Sequence, residues 1–130
     1  MQNARDTKHQ SLRAWSKRNY INGFTPLFLT YDPKMVSSMM NDVNAVKSPS
    51  TDLFAGLFVT FMGGSKEDLI RQIHETRKLC ANGVILFDYA HTYPNYTDTL
   101  SQSAFKTPEQ CTPKQNKKQK KYFNLFKKRK

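Results

Sequence analysis

An α/β fold, with strands and helices alternating along the chain, is what this sequence predicts. Three observations predict it. First, Phe54-Ala55-Gly56-Leu57-Phe58-Val59-Thr60-Phe61-Met62 and Gly83-Val84-Ile85-Leu86-Phe87 are nearly unbroken apolar runs. Runs without polar alternation are the pattern of strands buried on both faces, as in parallel sheets. Second, a further β-rich run, Phe24-Thr25-Pro26-Leu27-Phe28-Leu29-Thr30-Tyr31, precedes them, and the three runs start near positions 24, 54 and 83. One strand, one helix and two short loops fill about such an interval. Third, the intervals carry apolar residues at helical spacing: Met35, Val36, Met39, Met40, Val43 and Val46, then Leu69, Ile70, Ile73, Thr76, Leu79 and Cys80. The expected elements are three parallel strands, about 24–31, 54–62 and 83–89, with helices about 33–47 and 65–81 between them.

The central unit, from Phe54 to Tyr89, has the clearest punctuation. Gly63-Gly64 breaks the chain after the apolar run. Ser65, with Asp68 three residues later, resembles a capping box and places acid in the first helical turn, where the helix dipole favours it. Gly83 follows the last periodic residue, and glycine adopts a left-handed C-cap at least cost. A right-handed crossover is expected for this βαβ unit.

In the first unit, Pro26 stands near the start of its strand, where proline is tolerated. Asp32-Pro33 supplies an N-cap and a proline at the first helical position. The Met-rich stripe of the following helix reads as core packing between strands. Residues 1–22 are polar, with Leu12, Trp15 and Ile21 as apolar anchors. Ser11 to Arg18 reads as a short helix stopped by Asn22-Gly23, the end of a helix whose beginning lies further upstream. After Tyr89 the segment Ala90-His91-Thr92-Tyr93-Pro94-Asn95-Tyr96 reads as a loop, and a short helix is expected near 97–105. Three regions result: 1–22, a globular part 23–106, and 107–130, a linker and basic tail read as disordered.

Charge and cysteines narrow the function classes. The chain of 130 residues has a formal net charge of +11. Eight lysines, one arginine and no acids lie between Lys114 and Lys130, so residues 1–113 hold twelve basic against ten acidic residues. The charge sits in the tail. Cys80 and Cys111 lie far apart without metal-ligand spacing, which suggests neither a disulfide scaffold nor a zinc site. Cys80, on the apolar helix face, reads as a small buried hydrophobe. No cofactor fingerprint is present. With no apolar run of spanning length and a polar amino terminus, the chain as written is expected to be cytoplasmic.

Asn22-Gly23-Phe24-Thr25-Pro26-Leu27-Phe28-Leu29-Thr30-Tyr31 resembles the sixth strand of family 10 glycosyl-hydrolase-like proteins. There, a Gly-apolar segment leads into a Pro-x-x-Tyr strand end. Gly63-Gly64-Ser65-Lys66-Glu67-Asp68-Leu69-Ile70-Arg71-Gln72-Ile73 and Gly83-Val84-Ile85-Leu86-Phe87-Asp88-Tyr89 resemble the loop and helix of the seventh strand and the eighth strand. The resemblance spans about residues 12–105. It implies a partial (β/α)8 (TIM) barrel, a carbohydrate-active hydrolase class, and relatives that are often secreted or lipid-anchored in bacteria. A full barrel takes about 250 residues and eight strands. This chain would supply the C-terminal third, with the remaining barrel part in trans, or self-association through open sheet edges, as its expected partner.

In a barrel, functional side chains sit at the carboxyl ends of strands and in the loops that follow. Under the resemblance that rule selects Tyr31, Asp32, Asp88, Tyr89 and His91 as substrate-binding candidates, and Met62-Gly63-Gly64 beside them. Sugar rings stack on aromatic faces, and carboxylates bond hydroxyls or stabilise an oxocarbenium-like centre. Each candidate has a plainer reading. Asp32 serves as a helix cap, His91 as a loop residue, and Gly63-Gly64-Ser65 as a tight turn rather than an anion cradle. Asp88 shares strand parity with Val84 and Leu86. If those line a barrel interior, its carboxylate points into the mouth; a loop-fixing hydrogen bond is the alternative. Glycoside hydrolysis needs two carboxylates at a defined separation. No such pair is assignable, so catalytic residues stay unknown and the chain alone is expected to be inactive. The stretch Lys117 to Lys130 interleaves cations with Tyr122, Phe123, Leu125 and Phe126. It fits a nucleic-acid backbone or an anionic membrane as alternative partner, or a solvated terminus.

Overall fold

The structure, a computed structural model, describes residues 2–107. The basic stretch 114–130 and Cys111 lie outside the described residues. The elements in chain order are α1 (Gln2–Lys8), α2 (Leu12–Lys17), β1 (Gly23–Phe24), β2 (Leu27–Phe28), α3 (Pro33–Asn44), β3 (Asp52–Phe58), a 3₁₀ turn (Val59–Met62), α4 (Lys66–Lys78), β4 (Gly83–Phe87), α5 (Tyr89–Thr92) and α6 (Thr97–Gln102).

All strand pairs are parallel, and β3 is central. β1 and β2 lie along one edge, with Phe24 opposite Leu53 and Phe28 opposite Leu57. β4 lies along the other, from Phe54 opposite Gly83 to Phe58 opposite Phe87. β1 and β2 are two halves of one strand position, interrupted at Thr25-Pro26. Proline has no amide proton to give the ladder, but the Pro26 carbonyl accepts the Gly56 amide at 3.0 Å, so the pairing carries through. The result is an open parallel sheet in an α/β fold.

Side chains alternate across a strand, and here the two faces meet different surroundings. Leu53, Ala55 and Leu57 of β3 join Phe28, Val36, Met40, Val43, Leu69 and Ile73 in one buried core, with Val84 and Leu86 packed against it. The Ser37 hydroxyl bonds Glu75 Oε2 at 2.9 Å, and Asn44 Nδ2 donates to the Leu79 carbonyl at 2.9 Å, tying α3 to α4. On the opposite face, Leu27, Gly56 and Ile85 form one row across the sheet. Leu27 is 50% and Ile85 41% exposed. Two glycines make this face possible. A Cβ at Gly56 would lie 2.9 Å from both Leu27 Cδ2 and the Pro26 oxygen, and one at Gly83 would lie 3.1 Å from the Phe54 ring.

Every expected strand ends early, each for a local reason. The first stops at Phe28, not Tyr31. The Thr30 hydroxyl accepts the Asp32 amide at 3.0 Å and bends the chain toward α3. The second stops at Phe58, not Met62. The 3₁₀ turn folds Val59 and Met62 into the core instead of extending the ladder. The third stops at Phe87, not Tyr89, because Asp88 caps α5, a helix where a loop was expected. Helix α3 ends at Asn44 rather than near 47, and α6 covers Thr97–Gln102 rather than 97–105. Helix α1 has no counterpart in the sequence expectation.

The helix stops also move. α4 ends at Lys78, and Cys80, not Gly83, takes the left-handed conformation at φ 61°. The Cys80 amide bonds the Arg77 carbonyl and the Ala81 amide bonds the Thr76 carbonyl, both at 3.0 Å. That pair of bonds is a Schellman motif. Cys80 therefore lies past the helix rather than on its apolar face, and it is disulfide-bonded, not a free hydrophobe. The expectation of no disulfide is corrected accordingly. α2 ends the same way, with Asn19 at φ 55° and the Tyr20 amide on the Trp15 carbonyl at 2.9 Å. Asn19, not Asn22-Gly23, is its stop. The buried Ser16 hydroxyl, 2.8 Å from Thr51 Oγ1, anchors α2 to the loop before β3.

Candidate functional site

The carboxyl ends of the strands carry the groups with chemical potential. After β2, Tyr31 is 70% exposed. The adjacent Asp32 is occupied as an N-cap, its Oδ1 accepting the Lys34 amide at 2.8 Å, and the Pro33 that follows is preset for the first helical position. After β3, Gly63 and Gly64 take φ values of 55° and 87°, so the chain can turn without side-chain conflict. Ser65 Oγ then accepts the Asp68 amide at 3.2 Å and starts α4. The Asp68 carboxylate faces Arg71 at 3.5 Å rather than closing a capping box.

After β4, Asp88 organises a small constellation. Its Oδ1 accepts the His91 amide at 3.1 Å and stands 2.8 Å from His91 Nδ1. An ionised carboxylate only accepts, so Nδ1 carries the proton and Nε2 is left for another partner. The hydrogen bond from the His91 ring, then that from its amide, holds the Asp88 carboxyl below its usual range. The parity premise for Asp88 does not hold. Val84 and Leu86 pack toward the helices, while Ile85 and Phe87 lie on the bare face. Asp88 keeps an extended backbone but lies beyond the ladder, where it caps α5. Tyr89, 75% exposed, stacks on Tyr93 with centroids 5.5 Å apart and planes 5° apart. This pair presents a flat aromatic surface beside the carboxylate.

Between the segments after β3 and β4 lies a cleft of about 450 Å³, lined by Val59, Thr60, Gly64, Lys66, Ala90, His91, Asn95 and Tyr96. Its volume falls within the range of small-ligand pockets. Of the sequence candidates, the fold brings Asp88, Tyr89 and His91 together on α5 and its cap, and His91 and Gly64 line the cleft. Tyr31 and Asp32 belong to the neighbouring strand end and do not line it. Thr60, Lys66 and Asn95 were not anticipated. Thr60 lies inside an expected strand, and Lys66 lies in an expected helix with no signal that sets it apart. Asn95 lies in a stretch that reads as a loop.

The fold and site together define an open parallel α/β sheet with a polar cleft and exposed tyrosines at the carboxyl ends of its strands. No family model, curated protein or solved structure matches the chain.

Proposed function

We propose that the globular part of this chain is the C-terminal portion of a glycoside-hydrolase-like (β/α)8 barrel acting on carbohydrate, and that it is not catalytically competent alone. The observation that carries this reading is the bare face of the sheet. Parallel sheets are covered on both faces, yet Leu27 and Ile85 stand exposed on the side away from the helices. That face corresponds to a barrel interior, which further strand–helix units would close. The tyrosines at the strand ends suit sugar stacking, and Asp88 supplies an acceptor for hydroxyls. One carboxylate held by a histidine does not make the acid and nucleophile pair that hydrolysis requires.

Titration of the isotopically labelled full chain with neutral oligosaccharides, read by NMR, tests the carbohydrate assignment. Shifts are expected at Tyr89, Tyr93 and Tyr31. Saturating oligosaccharide with no shift at any of them would remove it.

A second reading rests on the stretch Lys114 to Lys130, with nine basic residues and no acids. Such a segment binds polyanions or anionic bilayers with strong salt dependence. Deleting 114–130 should abolish binding to duplex DNA and to phosphatidylserine vesicles; undiminished binding rules the stretch out.

A further inference from the structure

We propose that the cleft between the segments after β3 and β4 is an oxyanion subsite, which takes a carboxylate or phosphate substituent of a ligand through Lys66 and His91. The residues lining it include Lys66 and His91, together with Asn95 and Thr60, and none that carries a carboxylate. Lys66 makes no ion pair among the described residues; the nearby acid Asp68 is engaged with Arg71 at 3.5 Å. His91 is held by Asp88 through Nδ1 at 2.8 Å, which fixes the ring; Nε2 is an acceptor in the neutral ring and donates to an anion only in the imidazolium form. Gly64 on the rim has nothing within 4 Å of the position a Cβ would take, so the opening is clear. Lys66 comes from one loop–helix junction and His91 from another, so both border one cleft only because β3 and β4 are neighbours.

A carboxylate offers two acceptor oxygens and a phosphate three, and the cleft offers donors on both sides. A neutral sugar would find hydroxyl partners in Asn95 and Thr60 but leave the Lys66 charge uncompensated. The oxyanion preference therefore goes beyond the carbohydrate reading and stands or falls separately from it.

The test titrates the full chain with glucose, glucuronate, acetate and inorganic phosphate, following side-chain and amide signals of Lys66, His91 and Asn95 by NMR. Glucuronate, acetate and phosphate are expected to shift these signals, and glucose to shift them far more weakly. Lys66→Gln and His91→Gln should each weaken anion binding about three- to tenfold, with the amide spectrum otherwise unchanged; Lys17→Gln, on α2, should leave it as it is. Equal affinity for glucuronate and acetate supports the subsite while counting against a sugar. Equal affinity for glucuronate and glucose overturns the subsite and leaves the sugar assignment standing. Anion-induced shifts confined to residues 114–130, or unchanged affinity in Lys66→Gln, also overturn it.

Discussion

The two faces of the sheet are built from alternate residues of the same strands and meet opposite fates. Leu57 is fully buried against α3 and α4, whereas Ile85, one strand over and on the other side, is 41% exposed. Both are large and aliphatic, so composition does not separate them; what differs is whether a second layer arrives. The helices that cover one face are encoded in the same stretch as the strands, one per crossover. Cover for the other face is not supplied by the described residues, although Phe58 and Phe87 stack across it at 5.1 Å and give it partial closure. The described residues thus carry strands patterned for two-sided burial and helices for one side.

The largest expected effect sharpens this contrast. Leu57→Ala should cost about 2–5 kcal/mol, as for other fully buried leucines, while Ile85→Ala should cost under about 1 kcal/mol. Urea denaturation of both variants decides it, and equal losses would mean that the second face is covered after all. Ser16→Ala comes next. The hydroxyl is buried and receives the Ser48 amide while contacting Thr51, so its loss should cost about 1–2 kcal/mol. A negligible change in melting would show that α2 is not docked at the end of the sheet.

A lysine at the centre of the bare face should be nearly silent in stability. Ile85→Lys is expected to change it by less than about 1 kcal/mol and to reduce concentration-dependent association, because an exposed apolar row with open edges invites pairing. Sedimentation velocity at two concentrations reads the second effect; unchanged association would place the sticky surface elsewhere.

The smallest effect lies on the helical side. The hydrogen bond from Lys78, then that from Ser37, holds the Glu75 carboxyl below its ordinary value of 4.5. A depressed folded-state value means the stabilisation is complete above the unfolded value and is lost as pH falls through the folded one. Melting temperature against pH should therefore fall less steeply on the acid side for Glu75→Gln than for the parent. Parallel curves would remove this contribution.

Much of this fold is legible in the sequence, because its signals are local. The two-sided apolar runs, the Asp32-Pro33 helix start and the Ser65 cap all report their own neighbourhood. The stops were less legible. Left-handed residues fell at Asn19 and Cys80 although glycines stood nearby, since the closing bonds depend on where the helix is pulled into the core. Which parity faces the helices cannot be read from an unbroken apolar run, so the sequence leaves Asp88 with two readings, of which the local hydrogen bond is the one seen. The cleft lies beyond sequence reasoning for a similar cause. Lys66 and His91 are distant in the chain and border the same cleft only through the β3–β4 pairing.

The most direct test of the two-faced sheet is solvent paramagnetic relaxation of methyl groups in dilute full-length protein, using a soluble, uncharged nitroxide. Broadening should be strong at Leu27 and Ile85 and weak at Leu57, Leu53 and Val36. Equal protection of both sets would contradict the bare face, and with it the proposal that further strand–helix units are needed to cover it.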